Sequence, residues 1–441
     1  MIPRPDQVAP EPARTAPPSA AAPTSTAPVR PRWWLHRGAG RSLEAFRYAG
    51  YRLFWASRMS SSAGYWMSSI THSWLLYELT GSILLLGALG AVRGVPRLLF
   101  SLVGGLLADR ADRRRVLLAA ETTNTLTHAV MALLVALDAL EVWHLFVSVA
   151  VLGTSSSIRL PARQALLSNL VPLSSLLNAV TLSSAAMTSA RFIGPAIAGV
   201  LLAWRGPLVT YIAQALSHAL AALLTVWLPL GRSAVSKTQP RQSASSSLRE
   251  GFAYVWRDPA IRALLLLGLV PVTLAQPYRE LLPVFARDVL TGGPALLGTL
   301  TAATAVGSII AVLGLIVLGD FRAKGAVLVG SIVGYGLLLT AFGFARWVPL
   351  SALLLVGVGT AAAIQSTMTQ TLVITSTPDE LRGRVVSIRL LDQGLAPVGM
   401  LLIGALASYA SAPLTIAVSG AICALLALVF LTRVPALRRL T

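Results

Sequence analysis

Several ionisable side chains fall inside long apolar runs of this sequence, where a charge is costly and a function is the first explanation to test. Arg191 lies mid-run beside Gly194 and Pro195. A cation there can attract an anionic substrate, bias the protonation of a nearby carboxylate, or serve as half of a structural pair. Glu121 and Asp392 each lie about two turns into a run. A carboxyl group taken out of water can load and release protons, although an ion pair near the inner end is the plainer reading of each. Arg279 and Glu280 stand together toward the end of another run, as an outer gate or as interface charges. Arg58, Arg93 and Arg97 can snorkel or pair with carboxylates across helices. Gln276, Gln365, Thr369 and Gln370, with Met67, Ser68 and Thr71, can line a cavity or hydrogen-bond neighbouring helices.

Other chemistries lack their residues. His72, His128 and His218 lie on separate runs without metal-ligand spacing and read as packing residues. The single cysteine, Cys423, supports neither a disulfide framework nor a metal cluster, and has no base in sequence reach. No Gly-x-x-x-x-Gly-Lys-Ser/Thr loop is present, so ATP is not the direct energy source. A membrane acyltransferase would need a clustered nucleophile and base, which the sequence does not offer. The expectation is a non-enzyme without cofactor or metal.

These residues need long helices to hold them. The chain is 55% apolar and only 12% charged, against about 25% charged in soluble domains. Hydrophobic windows fall near 53–77, 82–107, 116–137, 143–165, 176–203 and 208–228, and resume near 260–285, 295–318, 325–345, 348–373, 385–409 and 413–432. Backbone polar groups in lipid must be satisfied internally, so the runs are helices. The expected fold is an all-α integral membrane protein with twelve transmembrane helices in two pseudo-symmetric six-helix bundles.

The organisation follows. Residues 1–46 form a Pro-rich, disordered cytoplasmic tail, with nine of the 26 prolines before Arg32. A first bundle spans 47–228 and a second 259–435, with a cytoplasmic linker at 229–258 and a short tail at 436–441. Within the linker, Leu248, Phe252, Val255 and Trp256 share one helical face, which fits either a surface-lying amphipathic helix or a solvated loop.

The net charge of +19 would suit nucleic acid, but the cations recur in short clusters between apolar runs rather than on one soluble face. With the N-terminus in the cytoplasm, 28 of the 36 Lys and Arg fall on the inner side, and only Arg205, Arg287 and Arg346 on the outer side. Arg159 and Arg163 count here as an inner connection. This bias puts both termini in the cytoplasm of a multi-pass cell-membrane protein. Trp74, Tyr77, Trp143, Trp204, Trp347 and Tyr409 then mark the outer interface.

The halves also echo each other. Arg163 to Pro172 and Thr369 to Pro378 share Gln164/Gln370, Leu166/Leu372 and Pro172/Pro378 at an offset of 206 residues. Asp109 with Arg113 is echoed by Asp320 with Lys324 at an offset of 211. Duplicated halves rock about a shared site near the midplane.

The connection Gly105-Leu-Leu-Ala-Asp109-Arg110-Ala-Asp112-Arg113-Arg114-Arg115 resembles the Gly-x-x-Ala-Asp-Arg-x-Gly-Arg-Arg signature of the major facilitator superfamily, with Asp112 where the family usually has Gly. The resemblance covers about residues 45–435. It implies that Asp109 and Arg113 latch the two halves at the inner face against the start of the eleventh span, near Gly383; a merely topology-setting basic loop is the alternative. Arg191-Phe-Ile-Gly194-Pro195-Ala-Ile-Ala-Gly199 resembles the Gly-Pro-x-x-Gly-Gly antiporter signature of the drug and siderophore exporter branch, the one containing enterobactin exporters, with Ala198 for one Gly. Gly194 and Pro195 can bend that helix, and ordinary small-residue packing explains them equally well. Thr377-Pro378-Asp379-Glu380-Leu381-Arg382-Gly383-Arg384-Val385 resembles the tenth-eleventh connection of that branch. The resemblance implies a monomeric secondary transporter that uses protons to expel an amphipathic small molecule such as a drug, siderophore or secondary metabolite; import of a small metabolite is the alternative.

Overall fold

The computed structural model describes residues 43–110, 112–229, 244–319 and 323–433, and among these all regular structure is helical. The helices are α1 (Ala49–Thr80), α2 (Ile83–Arg110), α3 (Arg113–Ala136), α4 (Val142–Leu170), α5 (Leu173–Val226), α6 (Ala244–Arg257), α7 (Pro259–Val289), α8 (Pro294–Leu318), α9 (Lys324–Phe344), α10 (Val348–Ser376), α11 (Asp379–Ala410) and α12 (Ala412–Arg433). Among the described residues, seven stretches are long and apolar enough to cross a membrane: α4, α5, α7, α8, α9, α10 and α12. In α2 and α11 the described apolar parts are the shorter Ile83–Pro96 and Gly394–Ala410. α1 and α3 are diluted by buried polar groups such as Ser61, His72, Glu121 and Asn124.

Burial is inverted relative to a soluble protein. Leu133, Leu216, Val317, Leu353 and Leu425 are exposed, whereas Ser57, Ser61, Thr71, Glu121, Gln214 and Thr369 are buried. An apolar solvent around the protein accounts for both observations.

α5 has 54 residues and would run roughly 81 Å if straight. Gly206, at φ +75° and ψ −168°, breaks it. The arm before the break runs parallel to α1: Tyr51 donates to the Ala179 carbonyl at 2.8 Å and Trp55 to that of Leu182 at 3.0 Å, while Gly194 lies against Ala63 and Trp66. The arm after it runs antiparallel: Ser57 donates to the Ala221 carbonyl at 3.0 Å and Gln214 donates to Thr71 at 2.7 Å. The expected windows at 176–203 and 208–228 are therefore two antiparallel helical arms that meet at Gly206.

α7 is irregular for a reason visible in its sequence. Pro271, Pro277 and Pro283 each withhold a backbone N–H, and the chain passes through a π turn (Pro271–Ala275), a 3-10 turn (Gln276–Leu281) and a second π turn (Phe285–Val289). Arg279 and Glu280 sit inside the 3-10 turn.

Packing repeats along the chain. α2 lies on α4 and α3 on α5, as α8 lies on α10 and α9 on α12. The first half meets the second through α2 on α11 and α5 on α8. Both crossings are made of glycine. A Cβ at Gly404 would stand 2.7 Å from the Gly87 Cα, and one at Gly199 would stand 2.9 Å from the Gly298 Cα. Gly87 and Gly298 are 211 residues apart, and Gly199 and Gly404 are 205 apart, close to the offsets in the connections. Both crossings lie toward the end where α1 stops at Gly81, here called the Gly81 end; the opposite end contains Arg110.

The linker helix α6 places Val255 inside and leaves Phe252 and Trp256 exposed. Its Glu250 pairs with Arg384 of α11. Of the aromatics expected at one interface, Trp143, Trp204, Trp347 and Tyr409 are exposed, but Trp74 and Tyr77 are buried. Tyr77 hydrogen-bonds Asp288 of α7, and Arg287 donates to the Tyr77 carbonyl at 3.3 Å, so Tyr77 seals a helix contact, while Trp74 donates to Glu78 on its own helix at 3.0 Å.

Gly404→Leu should force α2 and α11 apart at a cost of about 1–3 kcal/mol. The melting temperature of the detergent-purified protein should fall by several degrees, whereas Gly330→Leu, where a Cβ meets nothing within 4 Å, should leave it unchanged.

Candidate functional site

The first cluster lies within the first half. Glu121, eight residues into α3 and roughly 12 Å along it, has no exposed surface. Arg159 and Arg163 of α4 donate to its Oε1 at 3.1 and 2.8 Å, and His218 of α5 faces Oε2 from Nδ1 at 2.8 Å. Ser61 of α1 donates to both oxygens, at 2.8 and 3.0 Å, and itself receives Arg159. A carboxylate can only accept, so His218 carries its proton on Nδ1. Four helices are thereby tied to one side chain, and Glu121 stands as an ion-paired carboxylate in this conformation.

This arrangement corrects two readings of the sequence. Arg159 and Arg163 are not in a connection; α4 runs to Leu170 and buries both. His218 is a ligand of Glu121 and not merely packing. His128 stacks on it with ring centroids 5.1 Å apart, and His72 bonds Ser148 at 2.7 Å. Sequence spacing does not reveal this cluster, because its hydrogen-bonded pairs are 38 to 98 residues apart.

The second cluster joins the halves. Glu280 of α7 is buried and accepts from Arg93 of α2 at 2.7 Å and from Ser73 of α1 at 3.3 Å. Its neighbour Arg279 points elsewhere, its guanidinium 6.0 Å from the centre of the Tyr278 ring. The 3-10 turn sends the two consecutive charges to different partners. Arg191 of α5 lies 5.0 Å from the centre of the Trp66 ring and within the electrostatic reach of Arg279.

The remaining candidates are placed as follows. Asp112 caps α3, accepting from the Arg114 and Arg115 amides at 2.9 and 3.4 Å, which gives the residue standing in for the signature glycine a role of its own. Arg113 donates to the Ala165 carbonyl at 2.9 Å, and Arg114 to that of Val226. Gln365 is buried and donates to Thr369 at 3.2 Å on its own helix, while Gln276 is partly exposed. Pro195 lies within α5, and its carbonyl would stand 2.7 Å from a Cβ at Gly298. Pro378 precedes α11 as its N-cap. The side chains of Asp109, Arg110, Arg382 and Asp392, and the surroundings of Gly105 and Gly383, lie outside the described residues, as do Asp320 and Arg322.

Removing the Glu121 charge while leaving its arginines buried should cost about 3–5 kcal/mol. Glu121→Gln should therefore lower the melting temperature of the purified protein strongly, and adding Arg159→Met should restore part of the loss.

Comparison with known proteins agrees with this architecture. Residues 41–440 match the family model of the transmembrane secretion effectors, MFS_3. The chain is 27% identical to the staphyloferrin A transporter of Staphylococcus aureus over 391 residues, 87% of this chain and 96% of that one. It is 26% identical to the multidrug efflux pump Tap of Mycolicibacterium fortuitum, covering 80% of this chain and 88% of Tap. It is 25% identical to the macrolide efflux protein A of Streptococcus pyogenes, covering 74% and 82%. At the level of the fold it is similar to a POT family transporter crystallised with a thioalcohol-conjugated peptide, with a TM-score of 0.70 at 13% identity over 88% of this chain and 96% of that one. The nucleoside transporter NupG gives a TM-score of 0.66 at 14% identity over 87% and 98%. The chain is a membrane transporter, not an enzyme, and belongs to the transmembrane secretion effector family of the major facilitator superfamily.

Proposed function

We propose that the chain is a proton-coupled exporter of an amphipathic small molecule, built of twelve spans in two six-helix halves that work by alternating access. The full-length similarity to proteins named as efflux pumps supports export. The observation that carries the mechanism is the buried Arg93–Glu280 pair, which ties α2 to α7 across the halves.

Both glycine crossings, the Glu280 contacts and the Tyr77–Asp288 bond lie toward the Gly81 end. The distribution of basic residues makes that end the outer one, so the conformation is the inward-facing one, with both termini in the cytoplasm. In it, Glu280 is a carboxylate with its counter-ion. Protonating Glu280 would release Arg93 and loosen the outer contact, which couples proton entry to outward opening. Asp109 with Arg113, together with the Pro378 to Arg384 segment, would form the opposing inner latch once the halves have rocked. Glu121 is the rigid pivot of the first half in this scheme, and Asp392, Gln276 and Gln365 border the path. The transporter is proposed to act as a monomer.

Inside-out vesicles carrying the full-length protein give the test. An inward-acidic gradient should drive accumulation of a lipophilic dye, and Glu280→Gln should abolish gradient-driven accumulation while leaving downhill exchange. Gradient-driven depletion would mean import. Asp109→Asn should weaken the inner latch and slow accumulation; transport equal to the unmodified protein would remove the latch. Cysteines at Ser245 and Gly292 should label from opposite sides of the bilayer.

A further inference from the structure

Among the described residues, the interior holds guanidiniums that no carboxylate pairs with. Among the described residues, Arg159 and Arg163 share Glu121, and Arg93 is matched by Glu280. Among the described residues, Arg58, Arg191 and Arg279 have no carboxylate within salt-bridge distance. Arg58 finds only the Met187 sulfur, at 3.8 Å. The Nε atoms of Arg191 and Arg279 are both buried without a hydrogen-bond partner.

A further unpartnered group stands beside them. The hydroxyl of Tyr335 on α9 is buried without a hydrogen-bond partner, and Tyr278 of α7 and Tyr335 both lie in the field of Arg279. Buried donors are almost always paired, so a group of them around two guanidiniums indicates a missing acceptor. The surroundings are aromatic: Trp66 beneath Arg191, Tyr65 edge-on to Trp66 at 5.5 Å, and Tyr278 under Arg279.

We propose that Arg191 and Arg279, one from each half, are an anion-binding pair, and that the exported molecule carries an oxyanion, such as a carboxylate, on an apolar body. A guanidinium offers parallel N–H donors that fit a carboxylate, and the rings offer an apolar bed for the rest of the molecule. The pair also links binding to movement. Empty, the two cations repel across the gap between the halves. An anion between them removes that repulsion and draws α5 toward α7, so the loaded transporter changes state more readily than the empty one.

This inference rests on the exporter reading, but its test does not require transport. Equilibrium binding of three isosteric radiolabelled probes is measured on the full-length protein in nanodiscs of zwitterionic lipid: naphthalene-2-carboxylate, naphthalene-2-carboxamide and 2-naphthylmethylammonium. The carboxylate should bind at least about ten-fold more tightly than the amide, and the ammonium more weakly than either. Arg191→Gln and Arg279→Gln should each weaken carboxylate binding about ten-fold and leave the amide unchanged, with partial recovery in the Lys variants. Equal affinity for all three probes, preference for the cation, no binding at roughly 1 mM, or Gln variants that weaken the amide equally would each overturn the assignment. If a Gln variant does not fold, the Lys variants and the probe preference of the unmodified protein decide. A carboxylate preference without gradient-driven movement in vesicles would sink the exporter reading and leave the anion site standing; gradient-driven movement without the preference would sink only the anion site.

Discussion

Where α2 crosses α11 and the first arm of α5 crosses α8, no side chain larger than hydrogen fits. Lipid tails are as apolar as leucine, so helices in a bilayer gain nothing from hiding apolar surface and must be held by close packing and polar ties. The two glycine crossings supply the packing, while Arg93–Glu280 and Tyr77–Asp288 supply the ties. Packing of this kind depends on close fit and a few polar ties rather than on hidden apolar surface.

The contrast with the Glu121 cluster is instructive. There one carboxylate joins α1, α3, α4 and α5 within a single half, with both oxygens supplied with donors. Removing any partner would strand a charge in low dielectric. The Glu121 carboxylate is thus fully supplied with donors, whereas the Nε atoms of Arg191 and Arg279 are buried without an acceptor.

Much of this was legible in the residues. The apolar runs fix the helices, and the offsets near 206 and 211 anticipate the repeated packing, with the glycine crossings falling at 205 and 211. Gly194, Pro195 and Gly199 mark the arm of α5 that meets both α1 and α8. What escaped the sequence involves long-range partnership or local backbone departure. Arg159 and Arg163 looked like loop cations because basic residues usually lie outside helices in membranes, yet a carboxylate 38 to 42 residues earlier offsets their charge within α4. His218 carried no spacing signal because its partner is on another helix. Arg279 and Glu280 looked like one feature because they are adjacent, and only the turn enclosed by Pro277 and Pro283 separates their directions. Trp74 and Tyr77 had the composition of interfacial anchors, but both are buried, and Tyr77 bonds Asp288 of α7.

The central claim is that contact at one end of the molecule excludes contact at the other. Spin labels report this directly, with Cys423 replaced by serine and cysteine pairs placed at the exposed Asp138 with Arg346, near the Gly81 end, and Ser174 with Thr375, near the Arg110 end. Electron–electron distances are measured at neutral and acidic pH. On acidification the first distance should lengthen while the second shortens. Two distances that stay fixed, or that change in the same direction, would contradict alternating contact of the two halves.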